Sequence, residues 1–318
     1  MNDRNRRPPP PRDRSAPAPS PSSGPRDFAP RRDEPRREPP RRDEPPRYGA
    51  REDDSRYGGR DERPDYRREK LVGDKVYGLH AALAAMRSRP SAILQVMHSP
   101  AMRPVLEEAL APLIAKGVAI RVLSVDSLDR LCESTHHEGV LLLVTPTAPM
   151  SADSVAESLV RTKGFALALD RVQNPHNIGA ILRSSAFFGI DTVLFEAPEG
   201  QRVLTPSAVR VAEGGAEHIA IARCASLPDA LARLRKKGVR VVGTDRAAKT
   251  HLFDQPLAGP CALVLGNERE GLRPEVRSQC DDLVSIAGSS AIDSLNVSVA
   301  AGILLAAAAH ARRNRARS

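Results

Sequence analysis

Cysteine is scarce in this chain of 318 residues: Cys132, Cys224, Cys261 and Cys280 stand apart, with no C-x-x-C pair among them. That spacing argues against both a zinc-ligand pattern and a disulfide framework, and points to a reducing, cytoplasmic setting. An apolar stretch able to span a bilayer is also missing; the longest, Val297 to Ala309, is too short and too rich in small residues. The first residues are rich in Arg and Pro and lack the apolar core of a signal peptide. Neither G-x-G-x-x-G nor G-x-x-x-x-G-K-[ST] follows a strand-like run, so no dinucleotide or P-loop site is indicated.

Positive charge is in excess. Lys and Arg number 48 against 39 Asp and Glu, a net charge of +9 with a pI near 9.8. This favours a polyanionic partner, nucleic acid before membrane. About half of the excess sits in residues 1–70, where roughly 20 basic and 15 acidic residues are interspersed with proline and few aliphatic side chains. Such a segment cannot bury enough apolar surface to offset the entropy of ordering. It reads as a disordered, low-complexity tail, either a loose RNA tether or a solubilising arm.

Two α/β segments follow, 71–146 and 153–318, joined by a linker at 147–152. In the first, Val76-Tyr77-Gly78 leads into an Ala-rich helix ending near Arg87. Strands at 93–97, 118–122 and 140–144 then alternate with helices at 104–116 and 125–132. The turn Thr135-His136-His137-Glu138-Gly139 carries two histidines and a carboxylate. Adjacent histidines on a loop do not converge and no further ligand cluster completes a set, so it reads as a polar turn facing RNA rather than metal. In the second segment, strands are expected at 165–169, 192–195, 218–222, 239–243, 261–265 and 283–286. Helices are expected at 178–188, 206–211, 227–237, 274–279 and 294–313. Near-continuous apolar runs such as Ala262-Leu263-Val264-Leu265 fit a parallel sheet covered on both faces.

Three loops in this segment carry the chemistry. Asp170 to Gly189 reads as the end of a strand, a polar turn at Asn174-Pro175-His176-Asn177, then a helix closed by Gly189, with Arg183 its one charge. Taken alone, Arg183 fits a surface ion pair as well as a functional role. Gly266-Asn267-Glu268-Arg269-Glu270-Gly271 follows another strand; its glycines allow close backbone approach, and its carboxylates can accept ligand hydroxyls or hold an arginine. Ile286 to Ser298 is a Gly/Ser loop in which Ser294 is the expected N-cap of the terminal helix, with Asn296 and Ser298 on its first turn. A helix N-terminus beside the carboxyl end of a strand is where open α/β sheets bind ligands, and a pocket shared by the three loops is expected.

These segments resemble, in order and spacing, the motifs of the SpoU/TrmH family of RNA ribose 2′-O-methyltransferases. The matching residues are Asn174-Pro175-His176-Asn177-Ile178-Gly179 with Leu182-Arg183, Leu265-Gly266-Asn267-Glu268 with Glu270-Gly271, and Ser294-Leu295-Asn296-Val297-Ser298-Val299-Ala300. Residues 71–146 are similar to that family's ribosomal-protein-like substrate-binding domain, through Tyr77-Gly78 and His137-Glu138-Gly139. The charged tail, His136-His137 and Gly214-Gly215-Ala216-Glu217-His218 resemble its tRNA/rRNA methyltransferase branch. The resemblance implies a SPOUT-type parallel sheet whose C-terminal segment threads into a trefoil knot, which general connection rules would not anticipate. It also implies S-adenosylmethionine bound through Thr244, Gly266, Ile286 and Leu295, no metal, and a homodimer using the terminal helix.

By the same resemblance Arg183 is the catalytic guanidinium, stabilising the developing alkoxide or orienting a phosphate. Asn177 would hold the loop and the ribose or phosphate, Glu268 would position Arg183 or the substrate, and Ser294 and Asn296 would complete the acceptor pocket. The implied substrate is structured RNA, tRNA or rRNA, whose 2′-hydroxyl DNA lacks. The alternative is a non-catalytic RNA-binding or ribosome-assembly factor that keeps the fold; binding of the methyl donor separates the two.

Overall fold

Short apolar runs between Gly, Pro and Ser turns build two sheets in the computed structural model, which describes residues 72–254, 257, 259–289, 291–292 and 294–315. The Arg- and Pro-rich tail expected at 1–70 lies outside these residues.

The smaller sheet contains β1 (Asp74–Tyr77), β2 (Ile93–His98), β3 (Ala119–Val122) and β4 (Val140–Val144), in the order β1-β4-β2-β3. β4 is antiparallel to both its neighbours, and β2 runs parallel to β3. Alternate side chains face opposite ways along a strand. Val140, Leu142 and Val144 therefore pack under α1 (Leu79–Ser88) and α2 (Arg103–Ala115), while Leu141 and Leu143 meet α3 (Val125–Cys132). His137 is buried rather than facing outward. Its Nδ1 accepts from Gly139 N at 2.9 Å, so Nε2 donates to Asp129 at 2.9 Å and the ring braces the turn.

The larger sheet is wholly parallel: β5 (Phe165–Leu169), β6 (Thr192–Glu196), β7 (Ala220–Cys224), β8 (Arg240–Thr244), β9 (Thr250–His251), β10 (Cys261–Leu265) and β11 (Asp282–Ser285), ordered β7-β6-β5-β10-β8-β11-β9. Its two faces differ in side-chain size. On β5 and β10, Phe165, Leu167 and Leu169 lie in register with Cys261, Leu263 and Leu265. They point toward α5 (Pro175–Phe188), α6 (Pro206–Val211) and α9 (Val297–Arg315). Ala166, Ala168, Ala262 and Val264 face α4 (Ala152–Thr162), α7 (Leu227–Lys236) and α8 (Pro274–Arg277). Each buried leucine on the large-residue face contributes about 1.5–3 kcal/mol through the water it sheds.

Some expected boundaries shift. The turn at Asn174–Asn177 is already helical: Pro175 opens α5, and the Asn174 side chain accepts from His176 N at 2.9 Å. The segment Gly215–His218 forms a 3-10 turn, so β7 begins at Ala220 rather than His218. Met150, in the expected linker, bridges to Ala222, and α4 starts at once behind its cap Ser151. The terminal helix starts at Val297, and its cap is Asn296 rather than Ser294: the Asn296 side chain accepts from Ser298 N at 2.8 Å. The apolar face of that helix is largely occupied by its own core, with Val297, Ala301, Leu304, Leu305 and Ala308 buried. Among the described residues no helix is long and apolar enough to cross a membrane.

Candidate active site

Strands β5, β10, β8 and β11 lie side by side and end at one edge. Their carboxyl ends deliver Asp170, Gly266, Thr244 and Ile286, respectively. This is also where the chain reverses direction across the sheet: it runs outward from β5 to β7, then returns beyond β5 with β8, and β10 fills the space between. Open α/β sheets form their ligand crevice at such a switch point.

The three loops meet there through side chains. Asn177, in the first turn of α5, donates from Nδ2 to Glu268 Oε1 in the loop after β10. Asn296, at the start of α9, donates from Nδ2 to Asn177 Oδ1 at 3.2 Å. The chain has one polarity. Ser298 N and Ser298 Oγ both donate to Asn296 Oδ1, at 2.8 and 2.6 Å, so only the amide NH2 of Asn296 remains for Asn177. Asn177 must then present its oxygen to Asn296 and its NH2 to the carboxylate.

Gly266 is required by closure of its loop. A Cβ there would lie 2.2 Å from Gly271 C and 2.4 Å from Gly271 O, both backbone atoms that cannot rotate away. Asn267 and Gly271 form an antiparallel bridge that fixes the same bend.

Arg183 is exposed on α5, and its Nη1 lies 2.8 Å from Glu213 Oε1. Of the two carboxylates, Glu268 thus holds Asn177 while Glu213 holds Arg183. Thr244 closes β8, its hydroxyl turned back to donate to Val264 O at 3.1 Å, so its backbone is what faces the edge. Ile286 is half-buried; Ser294 and Leu295 are exposed in the segment entering α9.

Several residues of this edge were not anticipated. Asp170 is fully buried and accepts from Arg273 N at 2.8 Å and Arg273 Nε at 2.7 Å. Arg273 also reaches Glu196, and these two carboxylates hold its pKa above the usual value. Arg171, in a left-handed conformation at φ 59°, pairs with Glu270, and its carbonyl accepts from Asn267 Nδ2 at 3.3 Å. The signal was a run of charges directly behind an apolar strand. The loops after β5 and β10 are thereby tied together before any ligand arrives.

The residues present suit the methyl donor that the motifs imply. Bent backbone at Gly266, half-buried Ile286 and exposed Leu295 offer amides, carbonyls and apolar surface, the mixture an adenosine needs. No cluster of metal-ligating side chains occurs among the described residues. The cysteines are held as neutral thiols: burial pushes Cys132, Cys224 and Cys261 up to about 12 and Cys280 to about 11.

Comparison with known proteins gives the family. Residues 164–306 match the SpoU rRNA methylase family, and residues 75–150 match the RNA 2′-O ribose methyltransferase substrate-binding family. Similar proteins include two named 23S rRNA (guanosine-2′-O-)-methyltransferase RlmB. That of Shewanella oneidensis is 36% identical over 247 residues, covering 76% of this chain and 98% of its own. That of Vibrio cholerae is 32% identical over 241 residues, covering 74% and 96%. Among solved structures, the SpoU methyltransferase AviRb from Streptomyces viridochromogenes shares the fold, with a TM-score of 0.62 at 24% identity over 76% of this chain and 90% of its own. With both segments matched and relatives of this identity aligned over nearly their whole length, the chain belongs to the SpoU rRNA methylase family.

Proposed function

We propose that this chain transfers the methyl group of S-adenosylmethionine to the ribose 2′-hydroxyl of a guanosine in large-subunit ribosomal RNA. The observation that carries the reading is the hydrogen-bond chain Asn296–Asn177–Glu268, which joins three loops distant in sequence at the ligand edge of a parallel sheet. Relatives named for guanosine 2′-O-methylation of 23S rRNA support the choice of substrate.

S-adenosylmethionine, when bound, supplies an electrophilic methyl on a sulfonium centre. The chain's own residues supply position and charge, the larger part of catalysis for a weak nucleophile such as a ribose hydroxyl. Thr244, Gly266, Ile286 and Leu295, largely through backbone groups, would hold the adenosine. Asn177 and Asn296 orient the acceptor ribose, Ser294 completes its pocket, and Glu268 fixes Asn177. Arg183 stabilises the alkoxide that develops on the 2′-oxygen.

The wider organisation belongs to the same proposal. Residues 71–146 form the RNA-binding domain and 153–318 the transferase domain, with 1–70 as a tail and 147–152 as linker. The C-terminal segment threads into a trefoil knot, a reading supported by the insertion of β10 between β5 and β8. The protein acts as a cytoplasmic homodimer. The docking face supported best is the end of α5 beside α9, where exposed Phe187 and half-buried Phe188 border a groove of about 820 Å³ with Ala306, Ala309 and His310.

Titration calorimetry with S-adenosylmethionine and methyl transfer to rRNA test the reading. Arg183→Ala is expected to abolish transfer and leave donor affinity intact. Absence of donor binding by the wild-type protein would overturn it.

A further inference from the structure

We propose that Glu213 is a positioning residue that orients the Arg183 guanidinium, an inference that rests on Arg183 being the transfer residue. Glu213 stands at φ 46° and is followed by Gly214 at φ 87°, two consecutive left-handed positions. The second is filled by glycine, the residue such a conformation favours. The first carries a glutamate, for which it is sparsely populated. A strained residue persists only where its surroundings over-determine it, and such residues gather at functional sites.

The surroundings do over-determine this turn. Glu213 N donates to Arg210 O at 2.9 Å, and Gly215 N donates to Ala212 O at 2.8 Å. A Cβ on Gly215 would lie 2.9 Å from Arg183 Cα, so the turn is pressed against the backbone of the residue whose side chain it meets. On its other flank a Cβ on Gly214 would lie 2.7 Å from Ala84 Cβ of α1. Three residues beyond Gly214, the nearly buried carboxylate of Glu217 takes the Nε and Nη2 of Arg89, each at 2.7 Å. The turn is thus pinned between α1 of the small sheet and α5 of the large one. From that fixed mount the Glu213 carboxylate reaches Arg183 Nη1 at 2.8 Å.

A guanidinium carries five N–H donors in one plane, so one carboxylate on Nη1 tethers that end of the group and restricts its swing without exhausting the donors. The pair is exposed on both sides, 59% for Arg183 and 43% for Glu213, and pairs of this kind add little to stability. Its consequence lies in where the remaining N–H groups point.

The test separates geometry from folding. Glu213→Asn keeps a residue that tolerates left-handed backbone but shortens the reach by one methylene; Glu213→Gln keeps both reach and an oxygen acceptor. Glu213→Asn should lower kcat about 10-fold, short of the roughly 10²-fold that a 1 Å misplacement costs, with KM for RNA and donor affinity unchanged. Its Tm should be unchanged or higher, since strain is relieved. Glu213→Gln should recover to within about 3-fold of wild type, and Arg183→Ala/Glu213→Asn should be no worse than Arg183→Ala. Full activity in Arg183→Ala would overturn the role of Arg183 and this inference with it. An inactive Arg183→Ala beside a fully active Glu213→Asn would overturn the role of Glu213 alone. So would a loss of kcat in Glu213→Asn accompanied by a lower Tm and no rescue by Gln.

Discussion

Asn177→Asp changes the Asn177 side chain by one group and removes the donor from one hydrogen bond of the site. In the native chain Asn177 donates to Glu268 and accepts from Asn296 at 3.2 Å. The variant keeps the second contact and sets two carboxylates against each other in place of the first. Two unit charges 4 Å apart repel by about 4 kcal/mol at an effective dielectric of about 20. Loss of the charge-assisted hydrogen bond adds about 1.5–3 kcal/mol. Both side chains are half-buried, so rotation toward water relieves part of this, and a net destabilisation of about 2–4 kcal/mol is expected near pH 8.

At about 2–4 °C per kcal/mol for a folded unit of this size, Tm should fall by roughly 4–16 °C. The sign of the pH dependence follows from the pair. Two carboxylates in contact take up a shared proton at higher pH than a lone one, so the folded variant binds more protons than the unfolded chain. The loss is therefore complete above that range and shrinks as pH falls through it. Asn177→Asp/Glu268→Gln returns a donor to the contact and should recover most of the loss near pH 8. Thermal melts of the three proteins near pH 8 and pH 5 decide the matter. A Tm shift under about 1 °C near pH 8, or a double variant no more stable than the single one, would refute the bonding order of the chain.

Gly266→Ala should destabilise by at least about 1–3 kcal/mol, because its Cβ would meet the backbone of Gly271 at 2.2 Å. Its affinity for S-adenosylmethionine should fall at least about 10-fold by calorimetry, and donor binding equal to wild type would show that the bend does not line the donor site. The cysteines should resist alkylation in the native state near pH 8. With Cys280 held at about 11, its thiolate fraction is about 10²-fold below that of a free thiol, and mass spectrometry after brief maleimide treatment should find it unmodified. Rapid labelling of Cys280 would contradict that burial.

The parallel sheet and its helices were legible because burial is written in residue type. Five apolar residues in a row at 165–169 and again at 261–265 admit few other readings, and the helix behind the first closes on Gly189 as expected. Helix α4 is absent from the sequence reading, which assigns no element between the linker at 147–152 and the strand at 165–169, although Ala152, Val155, Ala156 and Leu159 repeat at helical spacing behind Ser151. The loops were legible as motifs but their wiring was not. The sequence reading offers Glu268 for Arg183 or the substrate; in the structure Glu268 holds Asn177, and Glu213, which no motif singles out, holds Arg183. Left-handed backbone at Arg171 and Glu213 is invisible in a sequence for a physical reason: neither residue type favours it, so propensity points the other way.

Burial and bonding capacity together sort the charges of this edge into scaffold and chemistry. Asp170 is fully buried with each oxygen bonded to Arg273, so it presents no exposed oxygen to a ligand; its work is to hold the loops after β5 and β10 at a fixed separation. Removing one member of such a pair strands a buried charge at about 3–5 kcal/mol, a penalty large enough to keep the contact closed through every catalytic cycle. Glu270 is exposed, but Arg171 occupies it. Glu268 spends one oxygen on an amide, and Arg183 spends one nitrogen on a carboxylate whose position is set from elsewhere. The groups that are held yet keep hydrogen-bonding capacity are Glu268, in the loop after β10, and Arg183, on α5; these are the groups to which the proposed function assigns positioning and charge stabilisation.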